Sequence, residues 1–355
     1  MRRVPLPASR AGRALVALWA AVLLAAAVLV ATLQWLGPPA RPTVATAPAK
    51  PQPLPARLSA AAAPPAVKVP AAPAVVASGR GDITRPDPAL LEPALLEPGM
   101  MLPRISHDGR EAARLYAAPA PAVPAGARPI AILLDGVGLS SADSFDAIDS
   151  LPSAVSLAVS PYAAEPGAVL DAARKAGHEL LLSLPMEPAG APADDEGTKA
   201  LTMQVDPDEN LRRLDWSLSR IQGYAGVTNA SSGLNGENFA GSPQFAAVAH
   251  ALAGRGLFYV DATPDAPVPD GIVGVDADLR FDTPPDAAGI DRQLAQLERV
   301  ASGKGSAIGV VGPVYPITVR RLADWARTLP ARGLVLVPVS SLVRPATEAA
   351  SRSVR

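Results

Sequence analysis

A carboxylate stands at the end of an apolar run in the segment AILLDGVGLS, residues 131–140. Four apolar residues precede Asp135, and Gly136 and Gly138 then interrupt the run. In parallel α/β proteins, active sites lie at the carboxyl ends of the buried strands, and the last residue of such a strand is placed there. Asp135 is therefore the first candidate for catalysis or ligand binding.

Polar and aromatic side chains also follow other predicted strands of the same region. Paired carboxylates at such positions suit acid–base chemistry, and amides, hydroxyls and aromatic rings suit the binding of a hydroxyl-rich ligand. The candidates for catalysis are Asp135, Glu187 and Asp261. The predicted ligand-binding residues are Asp135, Ser183, Glu187, Asn229, Asp261, Asp282 and Tyr315.

These residues also have a purely structural interpretation, which the sequence leaves open. Asp135 would then accept hydrogen bonds from the backbone amides of the turn that follows it. Glu187, flanked by two prolines in PMEP, would brace its own loop, and Asp261 would begin a turn. Asn229 lies in an asparagine-rich block, and asparagine is an ordinary turn residue.

The composition excludes several kinds of site and partner. The chain of 355 residues has no cysteine, so it has neither disulfides nor thiolate metal ligands. Its three histidines are His107 in an upstream segment, His178 before a predicted strand and His250 inside a predicted helix. None of these positions places an imidazole beside Asp135. The formal net charge of −1 favours no nucleic-acid partner.

Short apolar runs alternate with amphipathic segments of helical length from residue 130 onward. The predicted strands are 130–134, 155–159, 179–184, 226–229, 257–261, 271–275, 307–311 and 334–337. The predicted helices are 141–150, 165–176, 207–221, 243–255, 286–302 and 317–331. Repeated βα units form a parallel sheet with right-handed crossovers. We therefore predict an α/β fold with about seven or eight parallel strands in a deformed, complete or partial βα barrel. An open doubly wound sheet is the alternative.

The N-terminal segment has the pattern of a membrane anchor. Arginines in residues 1–13 precede a mainly apolar run at 14–36, which is long enough to cross a bilayer. Arginine-rich flanks stay on the cytoplasmic side. We expect a cytoplasmic basic N-terminus, a single-pass helix in the inner (cytoplasmic) membrane and a C-terminal domain in the periplasm. A cleaved signal peptide is the alternative, but its apolar core would be shorter.

A proline- and alanine-rich segment separates the predicted anchor from the βα region. Residues 37–129 contain half of the chain's 40 prolines and are predicted to form an extended linker. Within it, LPRISHDGREAARLYAAP at 102–119 mixes apolar, charged and aromatic residues. We expect this segment to dock on the folded domain at 130–343, and we expect the tail at 344–355 to be disordered.

The order of several motifs resembles the divergent polysaccharide deacetylase family. The motifs are DGVG, GHELLLSLPMEP, GVTNASSG, RGLFYVDATP, GSAIGVVGPVYP and RGLVLVPVSSL, and PMEP is the most specific part of them. The resemblance covers about residues 130–343. It implies a deformed βα barrel and a role in carbohydrate or cell-wall metabolism at the cell envelope.

The resemblance also implies a metal site that this chain lacks in sequence. Deacetylases of this kind hold a divalent metal with one aspartate and two histidines, and a second aspartate acts as the base. Asp135 matches the first aspartate, but Gly136 stands in place of the second. Ser183, Ala230 or Ser231, and Gly312 stand where relatives have histidine. We therefore predict no cofactor, and zinc in particular is disfavoured.

Three functions remain open at this point, and whether the chain is an enzyme is uncertain. The first is a non-catalytic envelope protein that binds a glycan, a peptidoglycan fragment or another envelope protein. The second is an active carbohydrate hydrolase, either a metal-independent glycosidase with paired carboxylates or a residual deacetylase. The third is a scaffold that regulates cell-wall hydrolases.

Overall fold

β-Strands and helices alternate along the part of the chain that the structure describes. The structure is a computed structural model, and it describes residues 85–95, 98–281 and 286–343, together with Trp19. The chain divides into two units, Met1–Ala72 and Pro73–Arg355, and the description below concerns the second unit.

Several predicted segments lie outside the described residues. They are the basic segment 1–13, the anchor 14–36 except for Trp19, the first part of the linker, Asp282 and the tail 344–355. Among the residues that are described, no helix is long and apolar enough to cross a membrane.

The described strands and helices have the following bounds. The strands are β1 (Leu91–Pro93), β2 (Met101–Pro103), β3 (Arg128–Val137), β4 (Ser156–Val159), β5 (Leu180–Ser183), β6 (Gly226–Thr228), β7 (Ala230–Ser231), β8 (Leu234–Asn235), β9 (Phe258–Asp261), β10 (Gly274–Asp276), β11 (Leu279–Arg280), β12 (Ala307–Val311) and β13 (Leu334–Leu336). The α-helices are α1 (Ala112–Leu115), α2 (Ser141–Ser150), α3 (Pro166–Ala176), α4 (Pro207–Ser219), α5 (Glu237–Ala240), α6 (Phe245–Gly254), α7 (Ala287–Lys304) and α8 (Pro316–Ala326). Every predicted strand and helix overlaps an observed one.

Local chemistry explains where the helices begin and end. Asp206 precedes α4, and its Oδ1 accepts a hydrogen bond from the amide of Glu209 over 2.8 Å. Pro207 is tolerated at the first helical position because the amide that it lacks would have no partner within the helix. Helix α3 ends at Gly177, which has a left-handed φ of 83°.

The large sheet has nine strands in the described residues, and all of its pairs are parallel. The strand order is β10-β9-β6-β5-β4-β3-β12-β11, and β13 pairs with the first residues of β3. The helices that connect neighbouring strands cover the sheet and bury an apolar core of aliphatic residues. This confirms the predicted parallel α/β fold.

One segment bonds to both edges of the sheet. Strand β10 pairs with β9, and β11, which follows two residues later, pairs with β12. Between them, the amide of Ala277 donates to the carbonyl of Asp261, and that of Asp278 donates to the carbonyl of Ile308. The sheet therefore curls into a deformed barrel and does not remain an open doubly wound sheet. Strand β11 and this change of partner had no counterpart in the sequence analysis.

The residues before the barrel pack against it over a longer stretch than the predicted docking arm. Leu90, Leu102 and Tyr116 are buried, and β1 and β2 form an antiparallel pair. The amide of Ala118 donates to Glu179 Oε2 over 3.2 Å, at the amino end of β5. The packed chain thus begins upstream of both residue 102 and the predicted boundary at residue 130. In the described part of this segment, apolar side chains such as Leu90 and Tyr116 are buried despite the high proline content.

Candidate functional site

Asp135 lies inside the barrel at a bulge in β3. The pairing register between β3 and β4 shifts between Leu134 and Val137, so that β3 carries one extra residue there. Gly136 has a φ of 83°, a left-handed conformation that favours glycine. The bulge turns the Asp135 side chain into the barrel, where the residue is fully buried.

Both carboxylate oxygens of Asp135 already accept hydrogen bonds from the chain. Ser183 Oγ donates to Oδ1 over 3.1 Å, and the amide of Gly233 donates to Oδ2 over 3.0 Å. Burial raises the pKa of Asp135, while the hydrogen bond from Gly233 and the charge of Arg280 act in the opposite direction. Asp135 and Ser183, two of the predicted ligand-binding residues, are therefore in contact, and both oxygens of Asp135 are bonded within the protein.

A second buried carboxyl, Glu196, lies near Asp135 and was missed by the sequence analysis. Ser231 Oγ donates to its Oε2 over 2.6 Å. Its Oε1 is buried and has no hydrogen-bond partner among the described residues. Desolvation, with a smaller contribution from the negative charge of Asp135, raises the pKa of Glu196 to about 7. The run of three acidic residues at 194–196 in a proline-rich loop was the only sequence signal for this site.

The short hairpin of β7 and β8 contacts both carboxyl groups. Its turn contains Ser232 and Gly233, both with positive φ. Ser231, at the end of β7, donates to Glu196, and Gly233, in the turn, donates to Asp135. A Cβ atom at Gly233 would lie 2.8 Å from the Pro313 side chain, so the hairpin also packs closely on the loop after β12. The hairpin thus fixes the relative positions of the two acidic groups.

Glu187 braces its loop, as the structural interpretation of PMEP suggested. The amide of Met203 donates to its Oε2 over 3.0 Å, and Asn238 Nδ2 donates to its Oε1 over 3.2 Å. Its own amide donates to the carbonyl of Leu201. Since both oxygens of the buried Glu187 are engaged, this residue is not a free partner for Asp135.

Asp261 and Asn229 form a separate buried network at the ends of β9 and β6. Asn229 Nδ2 donates to Asp261 Oδ1 over 3.0 Å, and Asn229 Oδ1 accepts from the amide of Ala262 over 2.6 Å. The hydroxyl of Tyr259 donates to Asp261 Oδ2 over 3.2 Å, and burial raises the pKa of this tyrosine. The network holds the loop after β9 against the loop after β6.

Of the remaining predicted residues, one lies at the edge of this site and one is not among the described residues. Tyr315 follows β12 and is 40% exposed, so its ring is accessible at the mouth of the barrel. Asp282 lies outside the described residues. His107 and His250 are exposed, and His178 is buried at the amino end of β5, where both ring nitrogens face backbone carbonyls of Val155 and Ile148.

The donor set around Asp135 does not fit the divalent metal that the resemblance implies. Such a site needs carboxylate and imidazole ligands around an open position. A side chain at Gly136 would be strained by its φ, and a Cβ at Gly312 would lie 2.7 Å from the Cβ of Asp135. Among the described residues, no group of three histidine, aspartate or glutamate side chains could hold a metal ion.

The fold and the site define a parallel βα barrel with buried carboxyl groups at its mouth. Residues 132–343 match the divergent polysaccharide deacetylase family. The chain is 26% identical over 221 residues to the uncharacterized protein YibQ of Escherichia coli (strain K12), a match that covers 60% of this chain and 67% of YibQ. It is similar to the crystal structure of the uncharacterized protein ATU2773 from Agrobacterium tumefaciens C58, with 31% identity, a TM-score of 0.62 and coverage of 69% of this chain and 100% of that one. The chain belongs to the divergent polysaccharide deacetylase family, as its motifs predicted.

Proposed function

We propose that this protein binds a glycan of the peptidoglycan type at the cell envelope and does not deacetylate it. The observation that carries the proposal is the state of Asp135, whose two oxygens accept hydrogen bonds from Ser183 and Gly233. A catalytic carboxylate that holds a metal needs free lone pairs and imidazole neighbours. Here a hydroxyl and a backbone amide take their place, and the barrel mouth keeps polar groups that suit sugar hydroxyls.

The groups that would contact the glycan lie around the mouth of the barrel and do not include Asp135, whose two oxygens already accept hydrogen bonds. The ring of Tyr315 is accessible there, and aromatic faces pack well on the apolar faces of sugars. A groove lined by residues of the segment 187–204 opens beside Glu196. We propose these two regions as the binding surface.

The proposed location rests on the N-terminal sequence. The arginine-flanked apolar run at 14–36 supports a single-pass anchor in the inner membrane with the barrel in the periplasm. A protease added to intact spheroplasts should degrade the barrel and leave a short membrane-associated fragment. Protection of the barrel in intact spheroplasts would overturn this orientation.

Binding and turnover measured on one sample test the proposed function. Full-length protein in detergent is titrated with the chitooligosaccharide tetramer in a calorimeter, and acetate release is followed with and without added Zn²⁺. We expect saturable binding, no acetate, and no thermal stabilisation by Zn²⁺. A Zn²⁺-dependent release of acetate would contradict the proposal, and so would the absence of binding to every glycan tested.

A carboxylate-based hydrolase is the second candidate function, and Glu196 is the observation that favours it. Acid–base hydrolysis of a glycosidic bond needs two carboxyl groups whose environments separate their pKa values. Glu196, whose pKa is raised to about 7, supplies one such group, and Asp135, whose pKa burial also raises, is the acidic residue near it. New reducing ends from the tetramer, lost in Glu196→Gln, would support this candidate over binding alone.

A further inference from the structure

Three large apolar side chains are exposed just after the carboxyl ends of three neighbouring strands. Leu139 follows β3 and is 48% exposed, Tyr162 follows β4 and is 37% exposed, and Tyr315 follows β12 and is 40% exposed. Strand β3 pairs with both β4 and β12, so the loop of Leu139 lies between the loops of the two tyrosines. We call these three residues the apolar row.

The three loops that carry the apolar row are packed against one another. A Cβ atom at Gly138 would lie 2.8 Å from the Cβ of Ala163 in the loop after β4. A Cβ atom at Gly136 would lie 3.3 Å from Pro313 in the loop after β12. Because the loop after β3 contacts both of its neighbours, the apolar row belongs to one continuous surface at the barrel mouth.

The ring of Tyr162 is held in place although it is exposed. Its hydroxyl donates to the backbone carbonyl of Glu196 over 2.9 Å, and its ring centroid lies 5.3 Å from that of Trp216. Lys199 and Arg220 lie over the same Trp216 ring and support it from α4 and the adjoining loop. A ring that is already ordered loses little conformational entropy when a ligand packs on it.

The loops around the apolar row carry no formal charge. Residues 136–142, 160–164 and 312–319 contain no aspartate, glutamate, lysine, arginine or histidine. Ser140 and Ser141, directly after Leu139, are exposed and offer hydroxyl groups. The surface therefore combines aromatic and aliphatic faces with neutral hydrogen-bonding groups, which suits a neutral, hydroxyl-rich ligand better than an ionic one.

The size of the apolar row favours a narrow ligand over a protein. A stable protein–protein interface takes about 20–30 residues from each side, and the row offers three large side chains. It is long in one direction, because neighbouring strands lie about 4.8 Å apart and the ends of β4 and β12 are therefore about 10 Å apart. This separation exceeds the length of a single sugar ring.

We infer that the apolar row is a binding site for an extended run of at least three neutral sugar units, with Tyr162 and Tyr315 each packing on one of the outer rings and Leu139 on the ring between them. The inference rests on the proposed function and deepens it, because it specifies a minimum chain length and adds Tyr162 and Leu139 to the residues that contact the glycan.

The test compares two probes that differ only in length. Full-length protein in detergent is titrated in a calorimeter with the N-acetylglucosamine dimer and with the tetramer. The dimer can cover only one of the two tyrosines, whereas the tetramer can cover both. We expect the tetramer to bind at least about tenfold more tightly, as the gain of one aromatic contact and its buried area implies.

Substitutions of the two tyrosines assign this preference to the apolar row. Tyr162→Ala and Tyr315→Ala should each weaken tetramer binding by about tenfold and leave the tetramer little better than the dimer. Tyr162→Phe keeps the ring and loses only the hydrogen bond to Glu196, so its affinity should stay within about twofold of the wild type. Thermal unfolding establishes that the variants are folded, and Tyr315→Ala remains decisive if Tyr162→Ala is not.

Leu139 has a matched control elsewhere on the surface. Leu139→Ala should weaken tetramer binding by about fivefold, because it removes apolar area from the middle of the row. Leu95→Ala should leave the affinity unchanged, since this exposed leucine follows β1, which pairs with β2 and not with the barrel sheet. Equal effects of the two substitutions would overturn the assignment.

The outcomes separate this inference from the proposed function. Equal affinity for dimer and tetramer, or a tetramer preference that survives in Tyr315→Ala, overturns the apolar row as a glycan site and leaves glycan binding intact. Failure of the wild type to bind any glycan overturns both proposals. Self-association that Tyr315→Ala abolishes, with unchanged glycan affinity, would make the row a contact between two copies of this chain and would also overturn the inference.

Discussion

Ser183 Oγ donates a hydrogen bond to Asp135 Oδ1 over 3.1 Å, across the intervening strand β4. Side chains from non-adjacent strands meet in this way only inside a curled sheet, so the contact depends on the barrel. It occupies the place where the family resemblance implies an imidazole and a metal. In this chain a hydrogen bond between a hydroxyl and a carboxylate lies at that position.

Substitutions at Asp135 should separate its hydrogen bonding from its charge. We expect Asp135→Asn to change the free energy of unfolding by less than about 1 kcal/mol, because an amide can still accept from Gly233 and pair with the Ser183 hydroxyl. Asp135→Ala should cost about 2 kcal/mol or more, because the partly buried amide of Gly233 and the buried hydroxyl of Ser183 lose their acceptor. Urea unfolding at pH 7 measures both values, and equal effects of the two substitutions would contradict this account.

Gly312 tests how tightly the loop after β12 packs on Asp135. A Cβ at this position would lie 2.7 Å from the Cβ of Asp135, so Gly312→Ala should cost about 1–3 kcal/mol of stability by overpacking. The matched control is Gly303→Ala in α7, where an added Cβ meets nothing within 4 Å. This control should gain about 0.5–1 kcal/mol, since alanine is the better helix former. Thermal unfolding measures the stability of both variants. A Gly312→Ala variant as stable as the wild type would contradict the close contact.

The order of elements could be predicted from the sequence because it depends on local patterns. Apolar runs of strand length, the N-cap at Asp206 and the glycine stop at Gly177 are all properties of neighbouring residues. The parallel sheet follows from the βα repetition itself. By contrast, β11 is only two residues long, and the change of partner from β9, which pairs with β10, to β12, which pairs with β11, depends on barrel closure, which no local pattern records.

The candidate site was only partly predictable for a related reason. Asp135, Ser183 and Asn229 could be proposed because strand ends of a parallel sheet share one face. Glu196 lies in a loop, and its importance comes from burial and from Ser231, a residue far away in the sequence. The sequence also could not distinguish a bracing Glu187 from a catalytic one, because that depends on contacts with Met203 and Asn238.

Glu196 should make stability depend on pH. Its folded pKa of about 7 lies above the ordinary value of 4.5, so the folded state binds more protons than the unfolded state between these values. Stability is therefore highest near or below pH 4.5 and falls as the pH rises to 7. For this group alone, proton linkage lowers the free energy of unfolding by about 2 kcal/mol between pH 5 and pH 8.

The variant Glu196→Gln should remove this part of the pH profile. We expect the difference in unfolding free energy between wild type and Glu196→Gln to shift by about 2 kcal/mol between pH 5 and pH 8, in favour of the variant at pH 8. Chemical denaturation at several pH values measures it. A difference that stays constant over this range would show that Glu196 has an ordinary pKa.

Glu179 joins three distant parts of the chain at the opposite end of the barrel. Its Oε1 accepts from Ser156 Oγ over 2.9 Å and from the amide of Ser340 over 3.2 Å, and its Oε2 accepts from the amide of Ala118. Burial raises the pKa of Glu179, and the hydrogen bonds from Ser340 and Ser156 oppose that shift. The residue thus ties the docked arm and the turn after β13 to β4 and β5.

Loss of this carboxyl group should loosen both attached segments together. We expect Glu179→Ala to lower the free energy of unfolding by about 3 kcal/mol, because the buried amide of Ala118, the partly buried amide of Ser340 and the hydroxyl of Ser156 lose their acceptor. Hydrogen exchange should accelerate at Ala118 and Ser340, while the amide of Gly233 near the barrel mouth keeps its protection. Tyr116→Phe is the matched control, since it removes only the single hydrogen bond that the amide of Asp87 donates to the arm, and it should leave Ser340 unchanged. Faster exchange at Ala118 alone would mean that Glu179 holds the arm but not the C-terminal turn.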